Sequence, residues 1–587
     1  SGHRAALFLW PEIDFAATLN SPPSPAIVTQ DAVRRLPRWA LLLLCVVYVI
    51  PGYVGRDPWK NADIASFGYM LELLRSAGWR DWLQPTLLGV APDTSALLPY
   101  WLGAWAMQWA PSWIAPDFAA RIPFALMLAG TLAATWYAVY ELARHPAAQP
   151  VAFAFGGEAE PTDYARALAD GSLLALIATR GLAQFSHETT PALAQLFFGT
   201  LVFFGLAALP HRPLGAPLAL LLGLPALALS GAPVTALIYG GLGLAAWFMP
   251  ARPGGDRPLP RLAAPGLLVA LALSLALAWT LDLFRWQIAS WRTDWDNWRS
   301  LSQLFLWFTW PVWPLVLWTL WHWRRPVRTL RQHRHLGLPL MIAVVPLVNT
   351  IATLAGDRAL LLALPALAAL ATFALPTFKR SAAALIDWFT LLFFTAWAIV
   401  IWVVWVAMET GVPAKPAANV ARLAPGFEPV FQWPAVLAAA AGTVAWIALA
   451  RWRTGRHRTA LWKSLVLPAA GATLCWLLLM TLWLPALDYG RSLAPQMGEL
   501  RKTIGETPCV EVHGLSTPQV VAVRFFGGWQ PIPARGPATC PWLLVDVDAQ
   551  ASLPATVDMR QWRPMGQVRR PTDSNETLLV FKRAGPA

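Results

Sequence analysis

Charge is what this sequence has least of: only 13% of its 587 residues are Asp, Glu, Lys or Arg, against 57% apolar residues and a mean hydropathy of +0.47. So few ions cannot solvate an ordinary soluble surface, and the chain belongs in a bilayer. Several chemistries are missing as motifs. There is no CxxC pair, no HExxH, no GxxxxGK phosphate loop and no GxGxxG between a strand and a helix, which argues against zinc-hydrolase, nucleotide-sugar and ATP sites. Cysteine is scarce too. Cys45 and Cys475 lie inside apolar runs, whereas Cys509 and Cys540 lie in a polar tail where they can pair, and a disulfide there requires an oxidising compartment. No internal repeat is visible, and residues 1 to 37 lack the basic start, apolar run and small-residue site of a cleavable signal peptide.

What the chain has is apolar runs of membrane length. A helical crossing takes about 20 apolar residues, and on that measure about thirteen spans are expected. They lie near 38 to 54, 119 to 143, 165 to 182, 190 to 209, 214 to 230, 232 to 250, 263 to 282, 302 to 323, 336 to 354, 359 to 376, 386 to 408, 432 to 451 and 461 to 486. The net charge of +13 sits in short loops between them, which is membrane topology rather than a nucleic-acid surface. Arg324, Arg325, Arg328, Arg331 and Arg334 share one loop without an acid, and Arg451, Arg453, Arg456 and Arg458 share another. The positive-inside rule places both, and the N-terminal tail 1 to 37, in the cytoplasm. With an odd number of spans the C-terminus is then outside. Residues 487 to 587 change character: short runs such as Gln519 to Val523 and Trp542 to Val547, separated by Gly and Pro, predict strands of a small periplasmic α/β domain entered by a helix near 491 to 505. The expected division is a tail 1 to 37, a membrane domain 38 to 486 with its first periplasmic loop at 55 to 118, and the domain 487 to 587.

Ionised side chains near hydrocarbon are costly, so those at span ends are paired, hydrated or functional. Asp57 and Asp63 stand at the outer end of the first span, as a general base or ion ligand, or as loop charges partnered by Lys60. Ser186-His187-Glu188 closes the third span, where Glu188 can face the same cavity or serve as a helix-dipole partner. Lys60, Arg180, Arg292 and Arg358 are the cations expected at that face, and arginine suits bidentate phosphate recognition. The loop from Arg285 to Trp298 interleaves aromatic and charged residues, Trp291 among them, a composition that stacks on sugars or lies in the lipid interface; Trp belts favour the interface.

In order along the chain, these features resemble the GT-C glycosyltransferases that use polyprenyl-phosphate sugars, most closely the aminoarabinose lipid A transferase and protein mannosyltransferase group. The acidic loop from Asp57-Pro58 to Ala62-Asp63-Ile64 is similar to that family's motif after its first span. Pro85, Gly89 and Pro99-Tyr100-Trp101-Leu102 are similar to the segment leading into its next helix, and Ala120-Arg121-Ile122-Pro123 to the start of its second span. His187-Glu188 stands where a second acidic residue is expected, and Arg358 to Pro365 resembles a late basic-then-Leu-Pro stretch. The acidic loop is shorter than the family's usual form. The Lys-Pro-Pro stretch expected before Tyr100 reads Ser95-Ala96-Leu97-Leu98-Pro99, so the family's usual lysine is absent and Lys60 or an arginine takes its place.

The resemblance implies an all-α polytopic enzyme of the bacterial inner membrane with GT-C architecture. Such an enzyme takes a sugar from undecaprenyl phosphate and delivers it, with inversion, to lipid A, another glycolipid, a glycan or a protein. Asp57 is then the base, Glu188 and Asp63 are further catalytic candidates, Lys60, Arg180 and Arg358 hold the donor phosphate, and His187, Trp59, Tyr100 and Trp291 contact substrate. Membrane lipids and the lipid-linked sugar are the expected partners, nucleic acid is not, and the chemistry is compatible with a divalent metal without requiring one. A lipid or lipid-sugar flippase, or a scaffold displaying its external domain, shares the apolar helices. The lack of a repeat and the gathering of ions at one face favour the enzyme.

Overall fold

The computed structural model describes residues 24–76, 78–247, 263–285, 295–330, 333–352, 356–454 and 460–584. Each apolar segment contains helix. In chain order these are Arg38–Val49, Pro116–Ala143, Pro161–Ala178, Pro191–Ala208, Gly215–Leu229, Pro233–Trp247, Ala263–Thr280, the pair Trp295–Phe308 and Val312–His322, Arg334–Ala352, the pair Gly356–Leu361 and Leu364–Thr372, Arg380–Thr410, Trp433–Thr454 and Lys463–Leu479. Among the described residues five are long and apolar enough to cross a membrane, or seven if each of two bent pairs makes one span, against the thirteen expected from hydropathy. The difference is length: helices such as Arg38–Val49, with 12 residues, and Gly215–Leu229, with 15, fall short of a full crossing.

Proline sets several helix starts. Pro116, Pro161 and Pro191 occupy first-turn positions, where the missing N–H leaves no bond unmade and the fixed φ suits the helix. Hydroxyls within the bundle return their protons to the preceding turn: Thr131 donates to the Met127 carbonyl at 2.8 Å, Thr135 to Thr131 at 2.8 Å and Thr200 to Leu196 at 2.6 Å. No polar atom of these side chains is then left bare in an apolar interior. Helices Arg380–Thr410 and Trp433–Arg453 turn outward instead, with only 17% and 11% of their apolar stretches inside the protein. Their exposed Leu385, Trp388, Leu392, Leu437 and Val444 form a lipid-facing surface.

After Lys463–Leu479 the chain bends by 70° into the short helix Leu484–Arg491, which we place beyond the end of the last span. Helix Ala494–Ile504 then enters the C-terminal domain, within the range expected for it. Its five strands are β1 (Cys509–His513), β2 (Gln530–Pro533), β3 (Trp542–Asp546), β4 (Trp562–Arg570) and β5 (Asp573–Arg583), ordered β2-β1-β3-β5-β4. β1 pairs in parallel with β2 and β3, and β5 pairs antiparallel with β3 and β4. One expected strand is instead a helix: Gln519 to Val523 lie in Thr517–Phe525, which crosses over between the parallel strands β1 and β2. Pro518 in its first turn and a reciprocal capping box between Ser516 and Gln519 outweigh the β-branched composition. A disulfide joins Cys509 to Cys540, with Cα atoms 5.7 Å apart.

This domain sits directly on the first loop. Gly68 of helix Ala62–Arg75 meets Val521 so closely that an added Cβ would lie 2.1 Å from its side chain. Phe67 packs edge-on to Phe525 at 4.9 Å, and Arg524 pairs with Glu72.

Candidate active site

The loop that follows the first apolar helix is held from three sides. At Gly52 an added Cβ would come within 2.2 Å of the His187 ring, so the chain passes against the 186–190 segment with no room for a side chain. Arg56, 3% exposed, donates from Nε to the Gly52 carbonyl at 2.9 Å, from one terminal nitrogen to the His187 carbonyl at 2.6 Å and from the other to Asp63 at 2.8 Å. Asp63 accepts in addition from the Thr189 backbone N–H at 2.7 Å, the Thr189 hydroxyl at 2.8 Å and the Trp59 N–H at 3.1 Å. Burial pushes its carboxyl up, but Arg56, Arg121 and the Thr189 donors outweigh that and hold it below the ordinary carboxylate range. With every lone pair committed, Asp63 clamps the loop to the 186–190 segment. Asn61, at φ 72° and ψ −128°, takes a positive φ that residues with a side chain rarely adopt, and there the loop turns into helix Ala62–Arg75.

Asp57 is placed differently. It lines a cleft of about 280 Å³ together with Phe427, Glu428, Val430, Pro485, Asp488, Tyr489, Ala494 and Pro495. Burial raises its pKa, partly offset by a hydrogen bond from Ser492. Asp488, on helix Leu484–Arg491, is one of two further carboxylates of this cleft, with Glu428, and was not singled out by the sequence. It accepts from the Trp59 indole N–H at 2.6 Å and from the Asp57 backbone N–H at 3.3 Å to each oxygen. Burial, the Asp57 charge adding to it, pushes its carboxyl up to about 7.

Beyond the clamp lies a group of cations. Glu188, 6% exposed, binds Arg358 at 2.9 Å, and Arg358 also lies over the Phe185 ring at 5.3 Å. Burial raises the Glu188 pKa against the opposing pull of Arg358. Arg491 lies over the Trp59 ring at 5.0 Å, and Arg56 lies over the same ring at 4.6 Å. It feels the charge of Glu188, which partly offsets the effect of burial on its own pKa. Its signal in the sequence was the Asp488-Tyr489-Gly490-Arg491 run just past the last apolar stretch. Arg180 rests over Trp307 at 5.5 Å.

The remaining candidates have other partners. Lys60 reaches the C-terminal domain, 3.2 Å from Asp573 and 3.3 Å from Glu576. Arg570 on the same hairpin bonds Glu576 and the Gly490 carbonyl, both at 2.6 Å. Trp59 is buried beside its two arginines. His187 packs among Tyr48, Tyr53 and Trp476, with Nε2 3.1 Å from the Tyr48 carbonyl. Tyr100, also buried, packs against Tyr69 at 5.5 Å. Trp291, Arg292 and the Arg285 to Trp298 loop between residues 286 and 294 lie outside the described residues. Among the described residues no group of three or more His, Cys, Asp or Glu is placed to hold a metal ion.

Fold and site together define a polytopic helical membrane protein with a small C-terminal α/β domain, with carboxylates and arginines gathered where the first loop meets the end of the last apolar helix. The solved structures it resembles are of ArnT from Cupriavidus metallidurans. The apo form superimposes with a TM-score of 0.58 at 14% identity, covering 94% of this chain and 99% of that one. The form bound to undecaprenyl phosphate gives a TM-score of 0.52 at the same identity and coverage. No family model and no curated protein matches the sequence.

Proposed function

We propose that this chain is a glycosyltransferase that takes a sugar from a polyprenyl phosphate, undecaprenyl phosphate being the reference, and delivers it to a periplasmic acceptor. The observation that carries this reading is the likeness of fold over 94% of the chain to a protein solved with undecaprenyl phosphate bound. The acceptor is lipid A, another glycolipid, a glycan or a protein. The chain resides in the bacterial inner membrane with about thirteen crossings, its N-terminus cytoplasmic and its C-terminal domain periplasmic. Arginine-rich loops at one face and the Cys509–Cys540 disulfide at the other support that orientation.

In this reading the acceptor hydroxyl enters the cleft and loses its proton to Asp57 as its oxygen attacks the anomeric carbon. The bond from that carbon to the phosphate oxygen breaks on the opposite face, inverting the centre. The lipid phosphate leaves as an anion toward Arg358, Arg491 and Arg180, whose fixed charges stabilise what develops there. Glu188 holds Arg358 in place, Asp63 holds the loop, and no metal ion is assigned to the step.

Purified protein in liposomes supplied with a radiolabelled polyprenyl-phosphate sugar and a lipid extract tests the proposal. Label should move to an acceptor and free polyprenyl phosphate should accumulate. Movement of label across the bilayer without any transfer would replace the enzyme with a flippase.

A further inference from the structure

The cleft beside Asp57 contains a further carboxylate that the mechanism above leaves idle. Asp488 comes from a helix 431 residues further along the chain, yet two donors of the acidic loop converge on it, the Asp57 amide N–H, shared between its two oxygens, and the Trp59 indole N–H. That indole is itself held by two cations, Arg56 at 4.6 Å and Arg491 at 5.0 Å from the ring centre. The Asp57 side chain has no comparable anchor on its own loop, because Asp63 holds only what precedes and follows it: Arg56 and Trp59. The direction in which Asp57 points is therefore set from outside the loop.

We propose that Asp488 is a positioning residue for sugar transfer, its carboxylate fixing Trp59 and the main chain of Asp57 so that the Asp57 carboxylate faces the cleft. This rests on reading Asp57 as the base. Ionised Asp488 accepts these N–H groups more strongly than its protonated form does, since charge-assisted bonds are roughly twice as strong as neutral ones. The charged and titratable groups around it are Arg56 and Asp57 on the loop, Glu428 on the cleft wall, Arg121 on helix Pro116–Ala143, and Tyr489 and Arg491 on its own helix. Burial, with the Asp57 charge adding to it, lets Asp488 keep a proton to about pH 7. As pH falls through that value Asp488 gains its proton, the grip on the loop weakens and transfer slows.

Two measurements on the full-length protein test this. In the transfer assay Asp488→Asn should lower kcat by about tenfold, the size of one hydrogen bond to a charged group, while leaving the donor KM in place. It should also erase the fall in rate near pH 7. Trp59→Phe keeps the carboxylate but removes the indole bond that lowers its pKa, so the same fall should move to higher pH. Wild-type kcat with an unmoved profile in both variants would overturn the proposal. The second measurement needs no activity. Hydrogen exchange of the Asp57 amide, corrected for the intrinsic rate, should be protected in the wild type above pH 7 and lose protection below it. Asp488→Asn should be less protected at every pH, and equal protection in the two proteins would overturn the proposal. If the wild type transfers no sugar, the enzyme reading fails, and amide exchange alone decides the role of Asp488.

Discussion

At the scale of single residues, three carboxylates within one short stretch of space have been given three different tasks by their neighbours. Asp63 has three N–H or O–H donors and a guanidinium, and both members of the ion pair are almost wholly buried. Removing one member of such a pair leaves an uncompensated charge, so Asp63→Asn should cost about 3–5 kcal/mol, read as a large drop in melting temperature of the detergent-solubilised protein. Asp57 has few partners and opens on a cleft. Asp57→Asn should lower turnover by about 10²- to 10⁴-fold, the range of general-base catalysis, with donor binding and melting temperature held; near-normal turnover would remove it from the mechanism. Asp488 adds a stability signature. A carboxyl whose folded pKa is raised contributes stability that is complete below its unfolded value and is lost as pH rises through the folded one. The wild type should therefore lose stability between pH 4 and about 7 more steeply than Asp488→Asn does, in thermal unfolding across that range.

Between elements, the seam that matters joins helix Ala62–Arg75 to the helix Thr517–Phe525 of the C-terminal domain. Gly68 allows the two to approach until Val521 fills the place of a side chain. A methyl there overpacks the seam, and Gly68→Ala should destabilise docking by about 1–3 kcal/mol. Faster proteolytic release of the domain would report it, and pairing the change with Val521→Ala should restore much of the loss. Lys60 adds an electrostatic contact to the same domain, where it meets Asp573 and Glu576 at the start of β5. Sequence reasoning offered Lys60 as the substitute for a missing phosphate-binding lysine, and the C-terminal domain is where its charge goes. The domain was legible as α/β from its short apolar runs, and its entry helix was placed correctly. Its crossover helix was not legible, because Val520, Val521 and Val523 favour strand locally while the capping box and burial on both faces act only once the chain is folded.

For the whole molecule, the predicted orientation is directly checkable. A cysteine placed at Arg328 in a background lacking Cys45 and Cys475 should stay shielded from a membrane-impermeant maleimide in intact cells, whereas one placed at Asp548 in the C-terminal domain should react. The reverse pattern would invert the topology. Membrane character and the pairing of Cys509 with Cys540 could be read from the sequence because both depend on composition: hydrocarbon rejects ions whatever the fold, and two thiols in a polar segment have few other fates. Asp57, Glu188 and Arg358 were legible for the same reason, as ions stranded at the ends of apolar runs. Of the thirteen apolar segments, five to seven hold helices of full crossing length among the described residues, since hydropathy marks apolar length but not where a proline or bend shortens the helix. Asp488 and Arg491 escaped notice because their importance is relational. One stands 431 residues from the amide it holds and the other stacks on a ring from the first loop. What the chain determined by itself was its solvent and the kinds of ions it keeps at the ends of its apolar runs. Which carboxylate is spent on structure and which is left to react was decided by tertiary packing, because a buried group's partners and desolvation, not its identity, set its charge and its freedom.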